Sequence, residues 1–491
     1  MLARNRFILL LVIGVVLAVL SFSIQYLQPM PTSPLTEDGT LGKNRKRVNA
    51  AVHTEPPELD PISDAYRYCN LPNRTEHTRE GHSLADYKLL FVQVMIRHGD
   101  RYPLYPIPQT KRPAIDCTLK PSHPLLASFI SHMAQGGRGH WDASLGSLAR
   151  VPNHSTCELG ELTQTGVVQH LKNGEILRQA YLKHHKLLPP DWSSQKLWVE
   201  TTAKSRTLQS GLALLYGFLP NFDWSKVTVR QQRSTMFCGS RCDCPERNLF
   251  LDEEQHRQYR LRAANAELER TYVDMGKALG VATRTMRASN PIDALLCHFC
   301  HALPFPCASS HSFPASEKGG CLTLQHFSVI RQQQRDDERE RKEAGIYRRF
   351  AVLAAHPFLN RTAVRMENAA RGKNEPVFAL ASAHDISMAP VLSSLGLEGA
   401  GFPRFAARLV FELWKSPESK AKEPQGGVAN TFVRVLYNGE DLTFETAFCR
   451  DHDRHSTEPL CPLSNFLSFV RRDMFSIVNA TSYHQACHQK L

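Results

Sequence analysis

The sequence has none of the signatures that mark a nucleic-acid-binding protein. Its 491 residues contain no zinc finger, no helix-turn-helix and no aromatic RNA-binding motif. No internal repeat is evident, which argues against a solenoid. Acidic residues are outnumbered by basic ones, and the net charge is +12 at pH 7. The excess predicts a basic, solvated surface, with a membrane surface or an anionic polymer as the alternative partners and no nucleic acid.

An uncharged apolar run lies near the N-terminus, over residues 7–24, behind Arg4 and Arg6. Its 18 residues are at the short end for a membrane span, and the preceding positive charge favours a cytosolic N-terminus. A cleaved signal peptide is the alternative, although residues 25–27 form a poor cleavage site. We predict a cytoplasmic tail over 1–6, a signal anchor over 7–27 that holds the protein in a membrane, and a lumenal body.

Two further patterns fit a lumenal body. Four glycosylation sequons begin at Asn73, Asn153, Asn360 and Asn479. The chain also has 13 cysteines, and in an oxidising lumen most of them should form disulfides, with at least one left over.

A zinc site is the alternative use of the cysteines. The tracts 242–244 (Cys-Asp-Cys) and 297–301 (Cys-His-Phe-Cys-His) hold residues of the types that bind zinc. Their spacing does not match a known finger, and the compartment favours disulfides. We therefore predict no metal.

The order of predicted elements is that of an α/β domain. A Pro-rich and basic stem over 28–85 precedes a catalytic domain over 86–480. Apolar runs predict strands at 88–96, 196–202 and 377–383, each followed by a helical segment, and a late antiparallel pair at 408–414 and 431–437. Thr163 is a candidate N-cap for the helix that follows it.

The segment from about 221 to 350 interrupts this alternation and is first Cys-rich and then helical. We interpret it as an inserted helical cap. Within it, the charged run at 336–343 has the i,i+4 pairs Asp337–Arg341 and Glu338–Lys342. This spacing is typical of a helix face exposed to solvent.

The most informative motif is residues 97–103 (Arg-His-Gly-Asp-Arg-Tyr-Pro), which follows the first predicted strand. Arg97 and Arg101 can hold a phosphate dianion through paired N–H donors. His98 can attack the phosphorus and form a phosphohistidine, provided that its other ring N–H is bonded, most simply to a backbone carbonyl. A basic surface turn is the alternative interpretation of such a motif.

Two other strand ends supply matching groups. Arg206 follows the strand at 196–202 and would bind phosphoryl oxygens, as would His384 after the strand at 377–383. Asp385 would protonate the leaving oxygen and then assist the attacking water, which a mildly acidic lumen would favour. Asp385 could also be the N-cap of the helix that follows.

These residues resemble the histidine acid phosphatases. Residues 97–103 match that family's first motif, and residues 161–170, 205–208 and 384–385 are similar to its other motifs, although Ser205 stands where relatives often have Asp. The resemblance implies a phosphoglycerate mutase-like mixed sheet flanked by helices, a smaller helical cap and phosphomonoesterase activity without a cofactor. It assigns His98 as nucleophile, Asp385 as proton donor, and Arg97, Arg101, Arg206 and His384 as phosphate ligands.

The tracts 111–117, 291–301 and 402–408 add a closer likeness within the family. It implies a type II protein of the Golgi membrane that acts on phosphorylated xylose in the glycosaminoglycan–protein linkage region. The implied partners are the phosphoxylose-containing glycan of proteoglycan core proteins and the opposing xylose kinase. A broad acid phosphatase, an inositol-phosphate phosphatase and a non-catalytic glycan-binding protein are the alternatives.

Overall fold

The computed structural model describes residues 60–489 with gaps at 73–77, 83–85, 122–123, 137–140, 233–242, 310–318, 374–375, 418–427, 429 and 452–459. Its centre is one mixed sheet of eight strands. The strand order is β3-β2-β4-β1-β5-β6-β7, with β8 paired to β6. The strands are β1 (Lys88–Arg97), β2 (Leu197–Thr201), β3 (Val229–Gln231), β4 (Phe378–Ala383), β5 (Arg408–Lys415), β6 (Thr431–Tyr437), β7 (Glu440–Asp441) and β8 (Cys461–Pro462).

Helices cover both faces of the sheet, so β1 is almost entirely buried. On one face Phe91 and Met95 contact the core formed with the helices at Ile346–Ala370 and Asp385–Ser394, and on the other Val92, Val94 and Ile96 contact the helices at Gln164–Leu177 and Ser205–Phe218. The described helices are α1 (Pro61–Cys69), α2 (Pro124–Gln135), α3 (Gln164–Leu177), α4 (Ser205–Phe218), α5 (Pro245–Ala264), α6 (Ala266–Leu279), α7 (Thr283–Ala288), α8 (Ile292–Cys300), α9 (Leu324–Ala344), α10 (Ile346–Ala370), α11 (Asp385–Ser394), α12 (Leu463–Arg471) and α13 (Tyr483–Cys487), besides shorter 3₁₀ turns and a π-helical segment at Arg178–His184.

The sheet register brings three strand ends to one edge. Strands β1, β4 and β2 are parallel neighbours, with Arg97 opposite Ala383 and Thr201 opposite Ser382. The residues that follow these strands therefore meet beyond their carboxyl ends, where open α/β sheets bind ligands.

The structure confirms the predicted α/β class, with its mixed sheet flanked by helices. All three predicted strands that precede the motifs are present, and β5 and β6 form the predicted antiparallel pair. Thr163 is the N-cap of α3, where its hydroxyl accepts a hydrogen bond from Gly166 N.

Helices α5 to α9 lie in the segment interpreted above as a cap, and α6 to α9 share an apolar core of their own. Helix α1, which precedes the predicted catalytic domain, contributes Ala65 and Tyr68 to that core. Its last residue, Cys69, forms a disulfide with Cys300 at the end of α8. Helix α1 is therefore part of the folded body.

The prediction of a solvent-exposed face at 336–343 is wrong for Asp337. This residue is 3% exposed, and its carboxylate accepts hydrogen bonds from Arg262 of α5 and from Gln333. The i,i+4 spacing identified the helix α9 correctly, but a neighbouring helix covers the face that carries Asp337.

Five disulfides join ten of the eleven described cysteines, and Cys297 is free, in agreement with the prediction of extensive pairing and one leftover thiol. Cys244 and Cys300, one from each tract considered for zinc, are both in disulfides, with Cys487 and Cys69 respectively. Within the described part of the chain, the one cluster with metal-ligand spacing contains the disulfide-bonded pair Cys117–Cys157.

The predicted anchor at 7–27 and the stem up to residue 59 lie outside the described residues. Among the helices from residue 60 onward that the structure describes, none has the length and apolarity of a membrane span.

Candidate active site

His98 lies directly after β1 and is 2% exposed. Its Nδ1 is 2.8 Å from the carbonyl oxygen of Gly99, the backbone partner that the proposed chemistry requires. Burial and then the charges of Arg97, Arg206 and Arg101 lower the pKa of His98 well below its ordinary value. The ring is therefore neutral, and with a proton on Nδ1 its Nε2 carries the free lone pair of a nucleophile.

Hydrogen bonds from three other elements fix the loop that carries His98. His98 N donates to Ala383 O of β4 at 3.0 Å, and Gly99 N donates to the Ser210 hydroxyl of α4 at 3.1 Å. Asp100 N donates to the side-chain oxygen of Gln169 at 2.8 Å. These bonds hold the backbone of the loop, and with it His98, in one orientation.

Gly99 passes so close to α3 that no larger residue fits. A Cβ at Gly99 would lie 2.5 Å from the carbonyl oxygen of Gly166, and a Cβ at Gly166 would overlap the carbonyl oxygen of Asp100. The two glycines thus allow backbone to pack directly against backbone. This contact brings the N-terminus of α3 against the nucleophile loop.

Arg97 is completely buried and forms hydrogen bonds with three groups. Its NH1 donates to Pro403 O at 2.6 Å, and its NH2 donates to the Tyr68 hydroxyl at 2.7 Å and lies 2.9 Å from Asp385 Oδ2. The rings of Tyr68 and Phe405 also lie 4.9 and 4.5 Å from the guanidinium carbon. These contacts hold the guanidinium beside Asp385.

Arg101 is oriented by a residue of the cap. Asp293 of α8 accepts hydrogen bonds from Arg101 NH2 at 2.7 Å and NH1 at 3.3 Å, and also accepts one from Leu104 N at 2.5 Å. Burial alone would lower the pKa of the Arg101 guanidinium, but the charge and hydrogen bonds of Asp293 outweigh burial and raise this pKa. Arg101 is therefore fully charged and fixed by a fork-like pair.

Arg206 completes the set of three guanidiniums. Burial and then the positive charge of Arg101 lower its pKa to about 10. In the described structure, the buried Nε–H groups of Arg97, Arg101 and Arg206 have no hydrogen-bond acceptor. Three unpaired N–H donors beside a neutral imidazole form a site suited to a dianionic phosphoryl group.

His384 lies next to His98, with 5.5 Å between the centroids of the two rings. Burial and then the charge of Arg206 lower its pKa to about 3, so that it is neutral. Its Nε2 is 2.9 Å from the Thr202 hydroxyl, which in turn lies 2.8 Å from the Thr207 hydroxyl. This pair of threonines, from the loop after β2 and the start of α4, fixes the orientation of the ring.

Asp385 is the first residue of α11, and the N-cap position belongs to His384. Its Oδ1 accepts a hydrogen bond from Ile386 N at 2.7 Å, and its side chain is 20% exposed. Burial would raise the pKa of Asp385, but Arg97 and Arg101 outweigh it and lower the value. The two guanidiniums therefore favour the ionised form of the carboxyl group.

A second carboxylate of the loop, Asp100, binds the cap instead of the phosphate site. Its Oδ2 accepts hydrogen bonds from the Thr163 hydroxyl at 2.5 Å and lies 2.7 Å from His301 Nε2. Burial lowers the pKa of His301, but Asp100 outweighs this effect and raises it. The ion pair connects the nucleophile loop with the end of α8.

The structure brings together all six residues that the sequence analysis placed in the phosphate site: Arg97, His98, Arg101, Arg206, His384 and Asp385. Their partners Tyr68, Asp293 and Thr202 were not predicted from the sequence, and neither was His301, the partner of Asp100. Asp293 and His301 lie in tract 291–301, the cap segment already singled out by its resemblance to relatives.

Three of the four sequon asparagines lie in the described part of the chain. Asn153 and Asn479 are exposed, whereas Asn360 is half-buried within α10. Asn73 lies outside the described residues.

The family model for the histidine phosphatase superfamily (branch 2) matches residues 88–438, which is most of the chain. The chain belongs to this family and is a phosphoric monoester hydrolase. Among curated relatives, it is 70% identical to 2-phosphoxylose phosphatase 1 of Danio rerio, with 100% of this chain and 99% of the relative covered. It is 52% identical to 2-phosphoxylose phosphatase 1 of Homo sapiens, with 100% of both chains covered.

Solved structures support the fold. The multiple inositol polyphosphate phosphatase of Bifidobacterium longum, in complex with inositol hexasulfate, aligns with a TM-score of 0.51 at 12% identity. The alignment covers 84% of this chain and 98% of that one. At this identity the likeness concerns the architecture alone.

Proposed function

We propose that the protein removes the phosphate from the 2-position of xylose in the glycosaminoglycan–protein linkage region and thereby supports proteoglycan chain synthesis. The observation that carries this proposal is the full-length identity of 70% and 52% to the two relatives named 2-phosphoxylose phosphatase 1. The site supports it with a nucleophile, three phosphate-binding guanidiniums and a proton donor in one cluster.

The first step transfers the phosphoryl group to His98. Its Nε2 attacks the phosphorus, a P–N bond forms and the bond to the ester oxygen breaks. Arg97, Arg101 and Arg206 balance the charge on the phosphoryl oxygens. Asp385 gives its proton to the departing sugar oxygen.

Asp385 must carry that proton although the charge of Arg97 lowers its pKa. A bound phosphate dianion offsets the charge of Arg97 and Arg101, which removes the cause of the lowered pKa. Burial then raises the pKa of the carboxyl group. Substrate binding itself thus prepares the acid, and a mildly acidic lumen assists it.

The second step hydrolyses the phosphohistidine. A water oxygen attacks the phosphorus, the P–N bond breaks and Asp385 accepts a proton from the water. Inorganic phosphate leaves, and His98 and Asp385 return to their starting states.

A cavity of about 1100 Å³ lies between the cap and the sheet domain and reaches Ile386, the residue after the proton donor. The leaving alcohol lies on the side of Asp385, so this cavity is where the rest of the substrate fits. It exceeds the common range of roughly 300–1,000 Å³ for small-molecule pockets, which favours a leaving group larger than one sugar.

The charges of this cavity favour a glycan over an inositol polyphosphate. No lysine lines it among the described residues, and three of its four arginines, all except Arg284, lie near acidic side chains. Arg262 pairs with Asp337, Arg287 with Glu269, and Arg341 lies 3.8 Å from Glu254. A polyanion would need unpaired cations here, whereas a neutral sugar chain would not.

We also propose that the chemistry takes place in the Golgi lumen, with residues 7–27 as a type II anchor. The five disulfides support an oxidising compartment, and the apolar run at 7–24 supports the anchor. The kinase that phosphorylates xylose would supply the substrate and is the proposed functional partner.

A substrate panel tests the function. Purified lumenal chain is assayed for phosphate release from a phosphoxylosyl linkage oligosaccharide, inositol hexakisphosphate and an aryl phosphate, with His98→Ala as the inactive control. We expect the highest kcat/KM on the linkage oligosaccharide. Higher kcat/KM on the inositol phosphate would favour the inositol-phosphate alternative, equal values would favour a broad acid phosphatase, and binding without turnover would favour a glycan-binding protein.

A further inference from the structure

Tyr68 is the last aromatic residue of α1, upstream of every motif in the catalytic set. Its hydroxyl oxygen lies 2.7 Å from Arg97 NH2, the same nitrogen that lies 2.9 Å from Asp385 Oδ2. The residue is 9% exposed. A phenol hydroxyl thus lies beside both a phosphate-binding guanidinium and the proton donor.

The direction of the hydrogen bond matters. Arg97 can only donate, so the Tyr68 oxygen accepts and its own hydrogen remains for another acceptor. No described residue accepts a hydrogen bond from the Tyr68 hydroxyl. A buried O–H without an acceptor costs free energy unless a ligand supplies one.

The ring of Tyr68 is held firmly in this position. Its edge contacts Phe405 at a centroid distance of 5.0 Å, and the guanidiniums of Arg97 and Arg331 each lie 4.9 Å from the ring centroid. Phe405 N donates to Tyr68 O at 3.2 Å, and the disulfide of the next residue, Cys69, joins α1 to α8. The hydroxyl is therefore pre-positioned and needs no rearrangement to meet a ligand.

We propose that the Tyr68 hydroxyl donates a hydrogen bond to an oxygen of the phosphoryl group bound between Arg97 and His98. This proposal rests on the proposed phosphate chemistry of the site and adds a fourth element, α1, to the groups that bind the substrate. Burial raises the pKa of Tyr68, which keeps the phenol protonated and able to donate.

The first test compares Tyr68→Phe with Tyr66→Phe. The first variant keeps the ring and removes the hydroxyl, and the second changes an exposed tyrosine on the same helix that contacts only the cap aromatic Phe299 among described rings. With an aryl phosphate as substrate and inorganic phosphate as inhibitor, we expect Tyr68→Phe to lower kcat/KM and raise the phosphate inhibition constant by about tenfold or more, as for loss of a hydrogen bond to a charged partner. Tyr66→Phe should stay within about twofold of the parent chain. Equal values for both variants would overturn the proposal.

A second test separates donation to phosphate from mere support of Arg97. Position 68 is replaced by 3-fluorotyrosine and by 3,5-difluorotyrosine, whose phenols are more acidic, and phosphate inhibition is measured below the pKa of each phenol. A donor to phosphate strengthens with acidity, so the inhibition constant should fall along the series. If the Tyr68 oxygen only accepts the hydrogen bond from Arg97, it becomes a weaker acceptor as the phenol becomes more acidic. A phosphate inhibition constant that rises or stays unchanged along the series would therefore contradict the proposal.

The aryl phosphate keeps this test independent of sugar specificity. If the parent chain neither hydrolyses it nor binds inorganic phosphate, the proposed function fails. If the parent chain does both and Tyr68→Phe behaves like the parent, only the role of Tyr68 fails.

Discussion

Arg97 NH2 lies 2.9 Å from Asp385 Oδ2, and the charge of this guanidinium lowers the pKa of Asp385, the proposed proton donor. An Asp385→Asn variant keeps the contact area and cannot donate a proton to the leaving oxygen. We expect its kcat on a sugar phosphate to fall by about 10²–10⁴-fold, the usual contribution of general acid catalysis. On an aryl phosphate, whose leaving group needs no proton, the loss should be at least tenfold smaller.

Steady-state kinetics on the two substrates measure this difference, and the melting temperature of the variant serves as the folding control. An equal loss on both substrates would show that Asp385 does not act as the leaving-group acid.

The ion pair of His301 with Asp100 should make stability depend on pH. The folded-state pKa of His301 is raised above its ordinary value of 6.5. Its stabilisation is therefore fully present below pH 6.5 and is lost as the pH rises through the raised folded-state pKa. We expect the difference in unfolding free energy between the parent chain and His301→Gln to shrink as the pH rises from 6.5 through the folded-state pKa of His301. Urea denaturation at a series of pH values measures it, and parallel profiles for the two proteins would exclude the pair as a source of pH dependence.

The Cys69–Cys300 disulfide joins residues 231 positions apart and fixes α1 to α8. Replacement of both cysteines by serine should destabilise the protein by about 2–5 kcal/mol, because the unfolded chain regains freedom. It should also reduce kcat/KM, since α1 carries Tyr68. A matched control is Cys307–Cys321, which closes a separation of 14 residues and should give a smaller loss in thermal unfolding.

Asp337 and Asp336 are neighbours in α9 with opposite surroundings. Asp337→Ala removes the partner of Arg262 and Gln333 and should cost about 1–3 kcal/mol of unfolding free energy. Asp336→Ala removes a carboxylate that lies on the more exposed side of the helix and pairs with Arg339. This variant should change the unfolding free energy by less than about 1 kcal/mol. Chemical denaturation of both variants checks the contrast, and similar losses would mean that the burial of Asp337 has little effect on stability.

The grouping of the candidate site residues could be predicted from the sequence because they lie at or just after the ends of strands or at the start of a helix. His98, Arg206 and His384 each lie within a few residues of the end of an apolar run that is visible in the sequence. Parallel strands bring such positions to one edge of the sheet. The partners that orient them could not be predicted in this way. Asp293 and His301 reach the nucleophile loop from the cap, and only the packing of the cap on the sheet domain shows this contact.

The error at Asp337 has a related cause. Its i,i+4 spacing to Arg341 identifies neighbours along one helix, and α9 is indeed helical over that run. The spacing contains no information on which face another helix covers. Arg262, 75 residues earlier, provides the partner that buries Asp337.

The backbone contact of Gly99 with Gly166 has a consequence for how this loop can vary among descendants of the sequence. An alanine at either position would strike the backbone of the other segment, so a change at one site is not rescued by a smaller residue at its partner. Glycine is already the smallest residue, and no compensating second substitution exists. Each glycine codon is therefore fixed independently of the other, and no single substitution at either position can persist without a shift of the backbone.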